Sequence, residues 1–209
     1  MSQARPTPIY LEIGSKKAFA CSLEWPGWCR SGRDADAAIE ALAGYADRYR
    51  PVAERAGVRF PANAAGAFDV VERINGDVTT DFGAPGKVAK ADREALTKAQ
   101  AERLASLVAA SWSVLDAVAA HAPAKLAKGP RGGGRDRDAV VIHVADADLS
   151  YARKLGIREP ADRRAAILDA LRAARAGAPP VEKGWPPRYA ARRIAWHALD
   201  HAWEIEDKS

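Results

Sequence analysis

The sequence has few cysteines and no long apolar run. Its 209 residues include two cysteines, Cys21 and Cys29, which lack the paired C-x-x-C spacing of a zinc finger or a redox centre. Two cysteines are too few for a disulfide framework, so we expect both to be reduced and structural. No run of about eighteen apolar residues occurs, and the first residues, MSQARPTPIYLEIG, lack the apolar core of a secretory signal. We therefore expect no membrane insertion, no export and a cytoplasmic location.

The composition is that of a globular protein with a basic second part. Hydrophobic residues make up 48% of the chain, and the mean hydropathy is −0.29. The net charge is +5, and the basic excess lies entirely after residue 86. Such an excess attracts nucleic acid or an anionic small molecule. The arginines are spread over several predicted helices instead of clustering in one, so nucleic-acid binding is the least favoured of these functions.

The first part of the chain has strand and helix signals in alternation. Residues 9–13 and 19–25 alternate apolar and polar side chains as strands do, and GSKK between them predicts a hairpin turn. Asp34 is a predicted N-cap for a helix that Pro51 kinks or ends. The runs AFDVVERI and VTTDF then predict one or two further strands.

Residues 24–42 read EWPGWCRSGRDADAAIEAL and contain a spaced turn motif. Pro26-Gly27, then Gly32, then the Asp36-Ala37 pair look like the pattern P-G-C…G-x-x-x-x-E-A and in this resemble HicB-like domains, but Asp36 replaces the expected Glu and Trp28 precedes the cysteine. The resemblance covers roughly residues 8–58 and implies a small ββαβ module that serves as an antitoxin or accessory unit. No helix-turn-helix follows, so an antitoxin role is not predicted.

The second part has the periodicity of four helices. Residues 83–94, GAPGKVAKADRE, predict a linker, and apolar residues then recur at helical spacing over about 91–120, 136–155, 161–176 and 188–206. The predicted fold class is α+β, with a ββαβ module in residues 1–86 followed by an antiparallel four-helix bundle in residues 87–209. The interior of such a bundle is a usual place for metal ligands.

Three of the four histidines occupy positions that suit one metal site. His197 and His201 lie four residues apart in RRIAWHALDHAWEIED, on one face of the last predicted helix, and His143 lies in the apolar part of the second. Three neutral imidazoles with an open position suit Zn²⁺ best and also Ni²⁺, Fe²⁺ or Mn²⁺. H-x-x-x-H is also common by chance, so a core or surface role remains the alternative. His121 is predicted to be a surface cation at a helix end.

A histidine followed by A-D-x-x-Y-x-x-x-L-G, together with H-x-x-x-H in the last helix, resembles the DinB-like superfamily of four-helix bundles. The resemblance covers roughly residues 90–207. It implies a divalent metal held by His143, His197 and His201. Some members resemble thiol S-transferases and mycothiol-dependent isomerases, which implies a low-molecular-weight thiol as a second cofactor.

Other polar and aromatic residues are candidates for the same site. The carboxylates Asp200 and Glu204, with Asp146, are close enough in sequence to orient the histidines or to assist catalysis. A second set is predicted to bind a cofactor or substrate, through its cations or as pocket walls: Arg131, Arg135, Arg137, Tyr151 and Trp196. The alternative is that the carboxylates are solvated and the aromatic residues belong to the core.

Two functions remain in view. The first is a metal-dependent enzyme that acts on a small-molecule substrate through a metal-activated thiol or water. The second is a metal-binding, ligand-binding or stress-response protein without turnover, in which the N-terminal module is a protein interface. Bundles of this kind often pair through helix faces, so a homodimer is compatible with both.

Overall fold

The computed structural model describes residues 5–129 and 133–209 and has a mixed α+β fold. The described residues form a sheet of four strands, β1 to β4: Thr7–Ile13, Ala18–Ser22, Cys29–Gly32 and Phe68–Asn75. They also form seven α-helices, α1 to α7: Ala35–Gly44, Ala46–Arg55, Val78–Phe82, Lys98–His121, Arg137–Lys154, Arg163–Ala173 and Pro187–Lys208. A short 3₁₀ helix spans Lys90–Arg93. The predicted α+β class is confirmed.

The sheet is mixed, in the order β3-β2-β1-β4. The first three strands are antiparallel neighbours, and β4 pairs with β1 in parallel. One face of the sheet carries Ile9, Leu11 and Ala20 into the large core, and the other carries Tyr10, Phe19 and the two cysteines towards Trp196 of α7. Because side chains alternate along a strand, this one sheet packs against helices on both faces.

The segment WPGWCRSG differs from its prediction. The second strand ends at Ser22 instead of continuing to Trp25, and a third strand, β3, follows the Pro-Gly turn. Trp28 is fully buried beneath this turn, and its Nε1 donates to the Leu42 carbonyl at 2.9 Å. The turn therefore reverses the chain and anchors it to α1.

Two helical predictions in the first part need correction. Asp34 does cap α1, since its Oδ1 accepts from Ala37 N at 2.9 Å, but the helix is interrupted at Tyr45 and Pro51 lies inside α2. The run VTTDF, predicted as a strand, forms helix α3. The Asp77 side chain caps α3 and Thr80 completes a capping box, a local polar signal that outweighs the β-branched composition.

The four predicted C-terminal helices correspond to α4, α5, α6 and α7. The first begins at Lys98, later than predicted, because the 3₁₀ helix precedes it and Thr97 caps it. Helix α4 packs against α6 and α7, and α5 packs against α6 and α7. The hydrophobic core runs from the sheet into these helices. The antiparallel bundle and the boundary near residue 87 stay predictions.

The segment predicted as a linker is held against the sheet by one buried carboxylate. Glu12 on β1 is fully buried and accepts from Gly86 N and Lys87 N, each at 2.9 Å, and from Thr80 Oγ1. A buried charge needs such partners, because its desolvation would otherwise be costly. Glu12 therefore fixes Gly86 and Lys87 against β1.

Helix α4 is the one helix in the described ranges long and apolar enough to cross a membrane by length and composition. Half of its apolar window is buried inside the protein, against α6 and α7. This burial is typical of a core helix and is consistent with a soluble protein.

Helix α7 is buried along most of its length and meets the turn before β3 closely. Gly27 in that turn has φ +92°, and a Cβ built there would lie 2.6 Å from Leu199 Cδ1 and 3.2 Å from Ala195 Cβ. Both the positive φ and the close approach require glycine.

We predict that Gly27→Ala lowers the free energy of unfolding by about 2–4 kcal/mol, because it adds a steric clash to left-handed strain. Gly57→Ala is the matched control: Gly57 has φ +68°, but a Cβ at this position would meet nothing within 4 Å, so the variant carries the strain alone. The measurement is urea unfolding of both variants. If both variants lose the same free energy of unfolding, a Cβ at position 27 does not clash with α7.

Candidate metal centre

Three histidine side chains meet between α5 and α7. His197 and His201 lie one turn apart on α7, and His143 faces them from α5. The ring centroid of His143 is 5.1 Å from that of His197 and 5.0 Å from that of His201, and the two α7 rings are 4.7 Å apart. One ligand atom from each of the three lies within 4.8 Å of the others.

A carboxylate fixes one of these rings. His201 Nδ1 lies 2.7 Å from Glu204 Oε2, one turn further along α7. A neutral His201 that donates Nδ1–H to Glu204 leaves Nε2 with its lone pair. Glu204 also bonds to Lys208 Nζ, and the hydrogen bond from His201 holds the pKa of Glu204 down at about 2. A carboxylate behind an imidazole is the usual support of a metal-binding histidine.

Burial favours the neutral form of His197 and of His143. His197 is 7% exposed, and burial, followed by the neighbouring His201 and His143, lowers its pKa to about 2. Burial also lowers the pKa of His143, helped by the charge of Arg135. Neutral imidazole is the form that binds a metal ion.

One buried nitrogen at this centre lacks a partner. Within the described residues, His197 Nδ1 is buried and has no hydrogen-bond partner. Three nitrogens around a tetrahedral Zn²⁺ lie about 3.3 Å apart, given Zn–N bonds of about 2.0–2.1 Å. The ligand atoms lie within 4.8 Å of one another, so each pair has to approach by at most about 1.5 Å, and three nitrogen donors fit a divalent metal.

Aromatic side chains line the side of the centre near His197. The Tyr151 ring on α5 is 5.8 Å from the His197 ring, and the Trp196 ring is 6.0 Å from it. Trp185, just before α7, packs on Tyr151 with ring centroids 5.0 Å apart. Trp196 is also part of the core cluster that packs on Phe19 of β2, so the roles of Tyr151 and Trp196 as pocket walls stay predictions.

Arg135 and Arg137, two of the three predicted arginines, have different surroundings. Arg135 is exposed just before α5, and its charge lowers the pKa of both His143 and His197. Arg137 instead donates to the Ala122 carbonyl at 2.8 Å and pairs with Asp138, so it joins α5 to the end of α4. Arg131 lies outside the described residues.

Two cations that the sequence did not predict contact α7 residues adjacent in the chain to His197 and His201. Arg193 on α7 lies 4.7 Å from the Trp196 ring centroid and donates to the Pro85 carbonyl at 3.1 Å. Because Arg193 lies four residues before His197, helical spacing could have placed both side chains on the same face of α7. Arg30 on β3 pairs with Asp200 at 2.9 Å, and no pattern in the sequence could have shown this contact.

Both predicted catalytic carboxylates have hydrogen-bond partners. Asp200 bonds to Arg30, and Glu204 bonds to His201 and Lys208. Burial raises the pKa of Asp200, and the charge of Arg30 opposes that shift. Asp146 is exposed on α5. His121 is exposed at the end of α4, with Nδ1 2.8 Å from the Ala117 carbonyl, as expected for a histidine outside the site.

The chain matches no protein-family model, no curated protein and no solved structure at a significant level. The DinB-like and HicB-like resemblances therefore stay predictions.

A buried carboxyl group lies on α5 close to residues of α4 and α6. Asp148 is 2% exposed, and within the described part of the chain its Oδ1 and the nearby Trp112 Nε1 both lack a hydrogen-bond partner. Burial raises the pKa of Asp148 to about 7, with the charge of Arg164 opposing the shift. The folded protein thus holds a proton here that the unfolded chain releases at its usual pKa of 3.8.

We predict that the free energy of unfolding of Asp148→Asn increases relative to that of the wild type as pH rises from about 4 to about 7. In this window the unfolded wild type binds fewer protons than the folded one, so wild-type stability falls with pH. Over this pH range, the difference in free energy of unfolding between the variant and the wild type should change by more than about 2 kcal/mol. Urea unfolding of both proteins across this range is the measurement, and a difference that does not change with pH would contradict it.

Proposed function

We propose that His143, His197 and His201 hold one divalent metal ion, with Zn²⁺ favoured and Ni²⁺, Fe²⁺ or Mn²⁺ as alternatives. The observation that carries the proposal is the approach of three ligand atoms from two helices to within 4.8 Å. The partnerless His197 Nδ1 and the hydrogen bond from His201 to Glu204 support it. The resemblance to DinB-like bundles points to the same three residues.

We further propose that the site serves a small-molecule enzyme. A divalent ion with an open coordination position lowers the pKa of water or of a low-molecular-weight thiol and so supplies a nucleophile at neutral pH. In this proposal, Glu204 orients His201, and the rings of Tyr151 and Trp185 exclude water from the metal site. The charges of Arg135 and Arg193 favour an anionic group on the substrate.

One observation favours a second function, metal or ligand binding without turnover. Asp200 pairs with Arg30, and Glu204 bonds to both His201 and Lys208, so neither predicted catalytic carboxylate is free to act as a general base. In the enzyme, the metal-activated nucleophile would have to work without their help. A measured turnover decides between the two functions, and both require the metal.

We predict about one equivalent of a divalent metal per chain, lost in His143→Ala and in His201→Ala. Each variant removes one of three ligands, and a metal held by two imidazoles dissociates far more readily. The measurement is plasma mass spectrometry of protein purified without chelator or nickel affinity resin, then reloaded with each metal.

His121→Ala is the matched control, because it removes the fourth histidine, which lies exposed on α4 outside the site. It should keep the full metal content. If wild type binds no metal after reloading, or if the control loses as much as the other two, the histidine centre is not the metal site.

We also predict that Glu204→Ala weakens metal affinity by about 10–100-fold without changing the stoichiometry, because His201 loses the carboxylate that orients it. Competition with a chelator of known affinity measures the change. Glu206→Ala is the matched control on the same helix, since Glu206 pairs with Arg48 instead of a histidine. Equal affinities in the two variants would show that Glu204 does not support the metal ligand.

A further inference from the structure

The two cysteines lie opposite each other in the sheet. Cys21 on β2 and Cys29 on β3 are direct partners in the antiparallel register, and both are free thiols. They are 2% and 5% exposed, on the face of the sheet that meets α7. Side chains of directly opposed residues project from the same face, so the two thiols are neighbours.

The hydrogen-bond pattern gives their spacing. Ser22 N donates to the Trp28 carbonyl at 2.9 Å, which makes that adjacent pair a hydrogen-bonded one. The pair Cys21 and Cys29 is therefore at a non-hydrogen-bonded position, where the two Cα atoms are about 4.5 Å apart. A disulfide requires Cα atoms about 4.4–6.8 Å apart, so this position is within reach of one.

A small cavity lies beside the thiols. It has a volume of about 10 Å³, enough for about one water-sized molecule, and Tyr10, Cys21, Cys29 and Arg192 help to line it. Burial raises the pKa of Cys29, and the Arg192 guanidinium opposes that shift. The thiols should therefore react slowly and only with small oxidants.

We propose that Cys21 and Cys29 form a redox-sensitive pair that hydrogen peroxide converts into a reversible cross-strand disulfide. One thiolate attacks a peroxide oxygen, the O–O bond breaks, and the leaving hydroxide takes a proton to give water and a sulfenic acid. The second thiol attacks the sulfenic sulfur, the S–S bond forms, and a second water leaves with its proton. Two thiols and one peroxide thus give one disulfide and two waters.

The position of β3 allows this closure. It is a four-residue strand at the edge of the sheet, paired only with β2, so a small shift does not break a second ladder. Arg30, the residue after Cys29, pairs with Asp200 on α7. The disulfide would therefore form one residue from a contact to the helix that carries two of the histidines.

The test treats the metal-free 209-residue chain with hydrogen peroxide and follows free thiols, intact mass and far-ultraviolet circular dichroism. The expected product is a folded monomer that has lost both thiols and two hydrogen atoms, and dithiothreitol restores both. Cys21→Ser and Cys29→Ser should not form this product, since each retains a single thiol.

Three results would overturn the proposal. The first is that both thiols persist in the native protein while urea-unfolded protein loses them. The second is that the loss of thiols is accompanied by a mass increase from added oxygen atoms, or by formation of a disulfide-linked dimer. The third is that the intrachain disulfide appears only together with loss of the native circular dichroism spectrum.

Discussion

The burial of helix α7 is the constraint on which the rest of the structure depends. The sheet packs on it through Phe19 and Trp196, helix α4 covers a second side, and α5 covers the side with the histidines. Deep in this interface, Arg192 pairs with Asp92 of the 3₁₀ helix, and both side chains are buried. Breaking a buried pair costs about 3–5 kcal/mol, because a charge is left uncompensated. The rotation of α7 about its axis is thus fixed, and with it the direction of both its histidines.

Because α7 is held in a fixed position, the protein tolerates the free-energy cost of burying the histidine cluster. A buried polar atom without a partner, such as His197 Nδ1, destabilises a protein by about 1–3 kcal/mol. The packing around α7 holds the imidazoles in place despite that cost, and burial keeps His197 neutral and able to act as a ligand. A bound metal would offset the cost by giving nitrogen lone pairs a partner. The Nδ1 of His201, by contrast, has a hydrogen-bond partner in Glu204.

The sequence predicts the parts of this arrangement that depend on local periodicity. The four long helices and the strands β1 and β4 follow from repeated apolar spacing, and His197 and His201 share a face because they are four residues apart. The prediction for helix α3 was wrong and strand β3 was missed, because a capping aspartate and a Pro-Gly turn decide them. The pairing of Arg30 with Asp200 joins residues far apart in the chain, and only the packed sheet brings them together.

The central claim is that three imidazole nitrogens form one metal centre, and X-ray absorption spectroscopy of the zinc-loaded protein tests it most directly. We expect a first shell with three imidazole nitrogens at about 2.0–2.1 Å and a further light-atom ligand at the open position. The more distant scattering typical of histidine rings should decrease in His143→Ala. Sulfur ligation at about 2.3 Å, or a shell of carboxylate and water oxygens without imidazole, would contradict the claim.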